Sequence, residues 1–310
     1  MRRLCAFICY IAVLFLLAGC SGANAPDMRG EGTLLYAANP TSTPAVQPTP
    51  AQTPEASPSP APEPAPPADP IPYAPEPTPP PLVIALPELI ENNAAAAEGY
   101  IYHWQITPRP GGIPPTGTHT AAFLRPFSAL YRGPENNSVF LTFELAYEAG
   151  HTEAVLDILR EWHIPAAFFV TLPYVENNAD LVERMGAEGH VIGLLTHNPL
   201  PFLSDAGISE EMLYPSRHFS THFVHPIDPF LRPAAGAYSE HSLGRTRHYG
   251  FFTLFWSALH YDWAQAVDSV HPGMVLSLQG MSTANTAALP GMLAGFQQAG
   301  FFFISLYGLI

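Results

Sequence analysis

VFLTFELAYEAGH, residues Val139 to His151, is the stretch on which the reading of this chain turns. VFLTFE carries the β-branched and aromatic side chains of a buried strand, and that strand delivers a carboxylate, Glu144. An aliphatic residue, Leu145, comes next, followed by Tyr147, a second acid, Glu148, and His151. A carboxylate at the end of a buried strand is costly to desolvate unless a partner or a reaction uses it. From His151 the pattern turns helical in HTEAVLDILREWH, and then apolar again in AAFFV (166–170). Strand, helix and strand in close succession make one crossover unit of a parallel sheet.

The unit repeats outward from there. Further strand-like runs are VIGLLT (191–196), FLR (230–232), FFTLFWS (251–257), MVLSLQ (274–279) and FFFISLY (301–307). Helical patterns lie between several of them: ENNADLVERMGAEGH, EHSLGRTRHYG and NTAALPGMLAGFQQAG, the last with Pro290 marking its start or a kink. Near-continuous apolar strands suit a sheet covered by helices. The predicted fold is therefore α/β, a distorted (β/α)7-type barrel, with chemistry at the C-terminal strand ends. That arrangement predicts Glu144, Thr196, Arg232, Ser257 and Gln279 around one rim.

The 36 prolines of the 310-residue chain are concentrated early, many of them between Pro40 and Pro81. Such a segment buries too little apolar surface to offset its ordering entropy and reads as a disordered, polyproline-II-leaning spacer. At about 3.1 Å per residue, its roughly 40 residues reach on the order of 120 Å. The net charge of −14 argues against a nucleic-acid partner. At the N-terminus, MRRL and the apolar run CAFICYIAVLFL precede LAGC, Leu17 to Cys20. The order resembles a bacterial lipoprotein signal, in which the cysteine is acylated after cleavage. The expected organisation is a signal peptide over 1–19, a mature N-terminus from lipidated Cys20 to 37, and a spacer over 38–82. A transition segment (83–99) and a folded domain (100–310) complete it. Cys5 and Cys9 leave with the signal, so no thiol pair remains for a disulfide. The expected location is the cell envelope, anchored by lipid to the outer face of the membrane.

The folded part resembles the NodB-homology polysaccharide deacetylases, carbohydrate esterase family four. The similarity is greatest to the branch acting on N-acetylmuramic acid during δ-lactam formation. The stretches that carry it are LTFELAYEAGHTEAVLDILREWHIPAAFFVT, LVERMGAEGHVIG, FLRPAAGAYSEHSLGRTRHYGFFTLFWSALHYDW and PGMVLSLQGMSTANTAALPGMLAGFQQAGFFFISL. The resemblance implies a base at Glu144, oriented by Arg232, with Asp262 and Trp263 as an intact D-W pair. Gln279 stands where the family has its general-acid histidine. The family binds a divalent metal such as zinc. Here its ligand positions are Leu145, Leu195 and Pro199, none with a donor atom, so no cofactor is expected. Without a metal-activated water near pKa 7 or a titrating acid, amide hydrolysis loses most of its acceleration.

Other residues offer alternatives. His197 lies close to the lost ligand positions, and His218, His222 and His225 are spaced to share one face if a helix forms between Pro215 and Pro226. Tyr147, Trp256 and Trp263 are candidate sugar platforms, and Arg232 and Asp262 are candidate partners for Glu144. Glu148 reads either as a pocket acid or as a loop residue. The leading expectation is an envelope lipoprotein that binds peptidoglycan or another N-acetylated glycan without turning it over. An active deacetylase with a rearranged site and a purely structural or protein-binding lipoprotein are the alternatives.

Overall fold

The computed structural model describes residues 99–310. The expected signal peptide, Cys20 and the spacer lie outside the described residues. Nine strands form the main sheet: β1 (Ala129–Leu130), β2 (Ser138–Leu145), β3 (Ala167–Val170), β4 (Val191–Leu195), β5 (Phe230–Arg232), β6 (Phe252–Leu254), β7 (Ala258–His260), β8 (Met274–Leu278) and β9 (Phe302–Phe303). They pair in the order β7-β8-β2-β3-β4-β5-β6-β1, every pair parallel, with β9 added to the foot of β2. Because β6 and β7 are consecutive pieces of one chain stretch, the sheet curls back on itself. The Ser257 N–H between them donates to the Val275 carbonyl at 3.0 Å, and Arg132, just past β1, bridges Met274 at the start of β8. The expected barrel-type α/β fold is present.

Side chains alternate across β2 with a period of two. Val139, Leu141, Phe143 and Leu145 face a large outer cluster, whereas Phe140 lies in a second cluster with Phe169, Leu195, Phe230, Val275 and Leu306. Helices α1 (Thr152–Glu161), α2 (Leu172–Asn177), α3 (Ala179–Ala187), α4 (Asp205–His222), α5 (Glu240–His248) and α6 (Thr283–Gln298) complete the layer arrangement.

Several expected boundaries shift, each for a local reason. FFTLFWS is broken at Phe255–Ser257, where the chain passes from pairing with β1 to pairing with β8. FFFISLY yields only Phe302–Phe303, because Ser305 caps a 3-10 turn over Leu306–Leu309 and Leu306 packs into the inner cluster. Pro290 marks neither end of α6, which starts at Thr283 and continues through it to Gln298. Pro215 likewise lies inside α4 rather than before it.

Candidate functional site

Glu144 occupies the penultimate position of β2 and Arg232 the last position of β5, across the rim from each other. Arg232 is wholly buried. Its Nη1 donates to Glu144 Oε1 at 3.2 Å and to Ser277 Oγ at 3.0 Å, and its Nη2 donates to Thr142 Oγ1 at 3.0 Å. Nε donates to the Leu254 carbonyl at 3.3 Å. The guanidinium also lies over the Phe169 ring, 4.2 Å from its centroid. Burial pulls the Arg232 pKa down, and the neighbouring Glu144 charge opposes this. Ser277 donates its proton to Glu144 Oε1 at 3.2 Å, so that oxygen accepts from two groups. A buried cation with this many partners satisfies the desolvation cost that the sequence of β2 raised.

The other expected members of the site are placed differently. Asp262 does not reach Glu144; its Oδ1 accepts from Ala264 N at 3.1 Å and its Oδ2 from Gln265 Nε2 at 2.8 Å, which caps a 3-10 turn over Trp263–Ser269. Trp263 has no face open to a ligand: it is 0% exposed, packs against Phe143, and donates from Nε1 to the Gln279 carbonyl at 2.8 Å. Trp256 is also buried and backs Arg232 at 5.8 Å. Ser257 sits below the rim, bonded to Val275. Thr196 does reach the rim, its N–H donating to the Arg232 carbonyl at 3.1 Å. Gln279 follows β8 and is half-buried, its N–H donating to the His260 carbonyl at 3.0 Å. Tyr147, 76% exposed beyond β2, remains free to meet a ring.

Glu148 proves to be a capping residue. Its Oε1 accepts from the N–H groups of Gly150, His151 and Thr152 at 2.6, 2.9 and 3.3 Å, and its Oε2 from Tyr174 Oη at 2.8 Å and Thr152 Oγ1. These bonds bind the carboxylate to the open N-terminus of α1. Burial would raise its pKa, but the hydrogen bonds outweigh burial and hold it below the ordinary carboxylate value.

The polysaccharide deacetylase family profile matches residues 132–254. A family 4 carbohydrate esterase from Bacillus anthracis is 30% identical and superposes with a TM-score of 0.60, over 68% of this chain and 96% of that one. An uncharacterized 30.6 kDa protein in the fumA 3' region of Geobacillus stearothermophilus is 30% identical over 234 residues, covering 70% of this chain and 88% of that protein. The chain belongs to the polysaccharide deacetylases. Among its relatives is the peptidoglycan-N-acetylmuramic acid deacetylase PdaA of Bacillus subtilis, 28% identical over 64% of this chain and 81% of that protein. The PdaA structure matches with a TM-score of 0.64.

Polysaccharide deacetylases of this type imply a divalent metal, and the residues here do not fit one. Leu145 turns outward into the helix-covered cluster. Leu195 lies in the inner cluster and lines a groove, and Pro199 precedes a 3-10 turn over Leu200–Phe202. Neither leucine nor proline side chains offer a donor. Among the described residues, no group of three or more His, Cys, Asp or Glu side chains is placed to hold a metal ion. The His197 loop is tied down by Glu211 on α4, which accepts from His197 N at 2.7 Å, Asn198 N at 3.2 Å and Asn198 Nδ2 at 2.6 Å. His218 and His222 stack at 4.3 Å, but α4 ends at His222, so His225 does not extend that face. Its ring instead rests on Gly186, where a Cβ would come within 2.6 Å.

The rim also holds aromatics that the sequence reading missed. Phe202 follows β4 and Tyr261 follows β7, and they are 65% and 66% exposed. Neither belongs to a periodic run: Tyr261 directly follows β7, and Phe202 ends the 3-10 turn Leu200–Phe202, seven residues past β4.

Proposed function

We propose that this chain is a lipid-anchored protein of the bacterial cell envelope whose polysaccharide deacetylase domain grips N-acetylated glycan, peptidoglycan foremost, without hydrolysing it. The observation that carries the reading is the loss of donor atoms at Leu145, Leu195 and Pro199 around a Glu144 held by Arg232 and Ser277. Deacetylation requires an activated water, a group to stabilise the oxyanion, and a proton for the leaving amine. Glu144 supplies one carboxylate, Gln279 supplies no titrating proton, and the side chains at the metal positions supply no Lewis acid. Each missing function costs about two or more orders of magnitude in rate.

Binding has better support. Tyr147, Phe202 and Tyr261 are solvent-facing aromatics in the segments that follow β2, β4 and β7, where a sugar ring can stack. The acylated Cys20 and the Pro-rich spacer suit a domain held at reach from the membrane.

The test pairs sedimentation with insoluble peptidoglycan and an acetate-release assay on the same preparation. Binding that weakens in Tyr147→Ala, with no acetate above a no-protein control, is expected. Acetate release at ordinary enzymatic rates would overturn the non-hydrolytic part, and absence of sedimentation would overturn the glycan part. For the anchor, radiolabelled palmitate should enter the wild-type chain and not Cys20→Ser.

A further inference from the structure

A groove of about 1000 Å³ opens between the start of α2, the end of β4 and α4, and Glu144 does not line it. It begins next to the polar cluster of the rim. Leu195, which lines it, is paired in register with Arg232 on the neighbouring strand, about 4.8 Å away. Leu172, on its α2 side, follows Thr171, whose N–H donates to the Leu145 carbonyl at the end of β2. Leu203, just before α4, follows the exposed Phe202. A substituent on a sugar ring stacked over Phe202 is thereby within reach of the groove.

The groove is apolar in its middle and charged toward its ends. Leu194 and Leu213 are among the leucines that line it. Glu210 and Arg217, both exposed on α4, line it as well. Seven residues separate them, which is two turns and about 10.5 Å along one helical face. Neither belongs to an ion pair among the described residues. The neighbouring Glu211 is already engaged by three donors of the His197 loop. Between the two charges lies Pro215, buried inside α4 and lining the groove. Proline has no N–H, so the Glu211 carbonyl lacks the i+4 donor of a regular helix and stands as an acceptor at the groove wall.

We infer that the groove holds the peptide stem of the glycan gripped at the rim. An ammonium sits beside Glu210, a terminal carboxylate on Arg217, small apolar side chains over the leucines and a peptide N–H on the Glu211 carbonyl. The inference rests on the glycan-binding reading and names a further part of that ligand. Peptidoglycan supplies this chemistry, because the stem on its muramic acid residues combines alanines with a diamino acid and ends in a free carboxylate. In a stem ending in Lys-D-Ala, the side-chain ammonium and the carboxylate can stand as far apart as Glu210 and Arg217. A purely apolar occupant leaves both charges unanswered.

Calorimetric titration of the purified full chain with the tetrapeptide Ala-γ-D-Glu-Lys-D-Ala tests the groove apart from the sugar. Saturable binding is expected, weakened about fivefold by Arg217→Ala and by Glu210→Gln. Both positions are exposed, so neither change disturbs the core. The C-terminally amidated peptide should bind as weakly as the acid binds Arg217→Ala, and should be indifferent to that substitution. The Nε-acetyl-lysine peptide should stand in the same relation to Glu210→Gln. Sedimentation then compares stem-bearing peptidoglycan with glycan stripped of its stems by an amidase. The parent should prefer the first, and Arg217→Ala should erase the preference. A tetrapeptide that does not bind, or binding indifferent to both substitutions, would overturn the inference. Equal sedimentation with both glycans would strike the stem and leave the glycan reading standing, whereas sedimentation with neither would strike both.

Discussion

The Glu144 side of the rim and the α4 side share one parallel sheet but differ in chemistry. On the first, β2, β5 and β8 contribute Thr142, Glu144, Arg232 and Ser277, a polar cluster whose charges are paired. On the second, β4 ends in Leu194 and Leu195, and α2 and α4 add further leucines around an open groove. The difference teaches that the barrel depends on the first cluster for its own integrity, because Arg232 is too buried to stand alone. The second side carries no such obligation. Its positions can be apolar while strand register is kept, so the fold does not depend on polar side chains there.

The largest expected effect comes from breaking the polar side. Arg232→Met leaves Glu144, Thr142 and Ser277 without their donor and is expected to cost about 3–5 kcal/mol, read by urea unfolding. Adding Glu144→Met should recover most of that loss. A single variant as stable as the parent would mean that the cluster does not hold the barrel.

Acid provides a control away from the rim, at the opposite end of β4. His190 is buried, its Nδ1 accepts from Ala166 N at 3.3 Å, and burial pushes its pKa down to about 4. The imidazole is neutral in the folded protein and takes a proton more readily when unfolded. Stability is therefore fully present above pH 6.5 and is lost as pH falls from there toward 4, by about 3 kcal/mol in all. The urea midpoint should follow that window in the parent and flatten in His190→Gln.

Smaller effects sharpen the contrast between building and binding. Glu148→Ala removes the cap of α1 and is expected to cost about 1–2 kcal/mol in thermal or urea unfolding, with glycan sedimentation unchanged. Tyr147→Ala should do the reverse, altering stability by no more than about 0.5 kcal/mol while reducing sedimentation severalfold.

The sequence pattern carried most of the barrel, because its strands are short apolar runs separated by helical spacing. The polar cluster was partly legible too: Thr142 and Glu144 share one face of β2 by alternation, and the family resemblance supplied Arg232. What escaped depends on packing in three dimensions. The sequence of α4, DAGISEEMLYPSRHFSTH, mixes polar and apolar residues without a clean period and contains Pro215, so its length was not apparent. Trp263 and Tyr147 both follow strands, and nothing local distinguishes the ring that caps the core from the ring that faces water. Asp262 looked like a partner for Glu144 because both match family motifs. Its place as the cap of a 3-10 turn follows from the backbone after β7.

The most direct measurement is zinc content after equilibrium dialysis of the purified full chain, for the parent and for Glu144→Gln. The expected result is far less than one zinc per chain in both. Stoichiometric zinc in the parent that disappears in Glu144→Gln, together with acetate released from N-acetylated muropeptides, would contradict the reading of a rim that grips without hydrolysing.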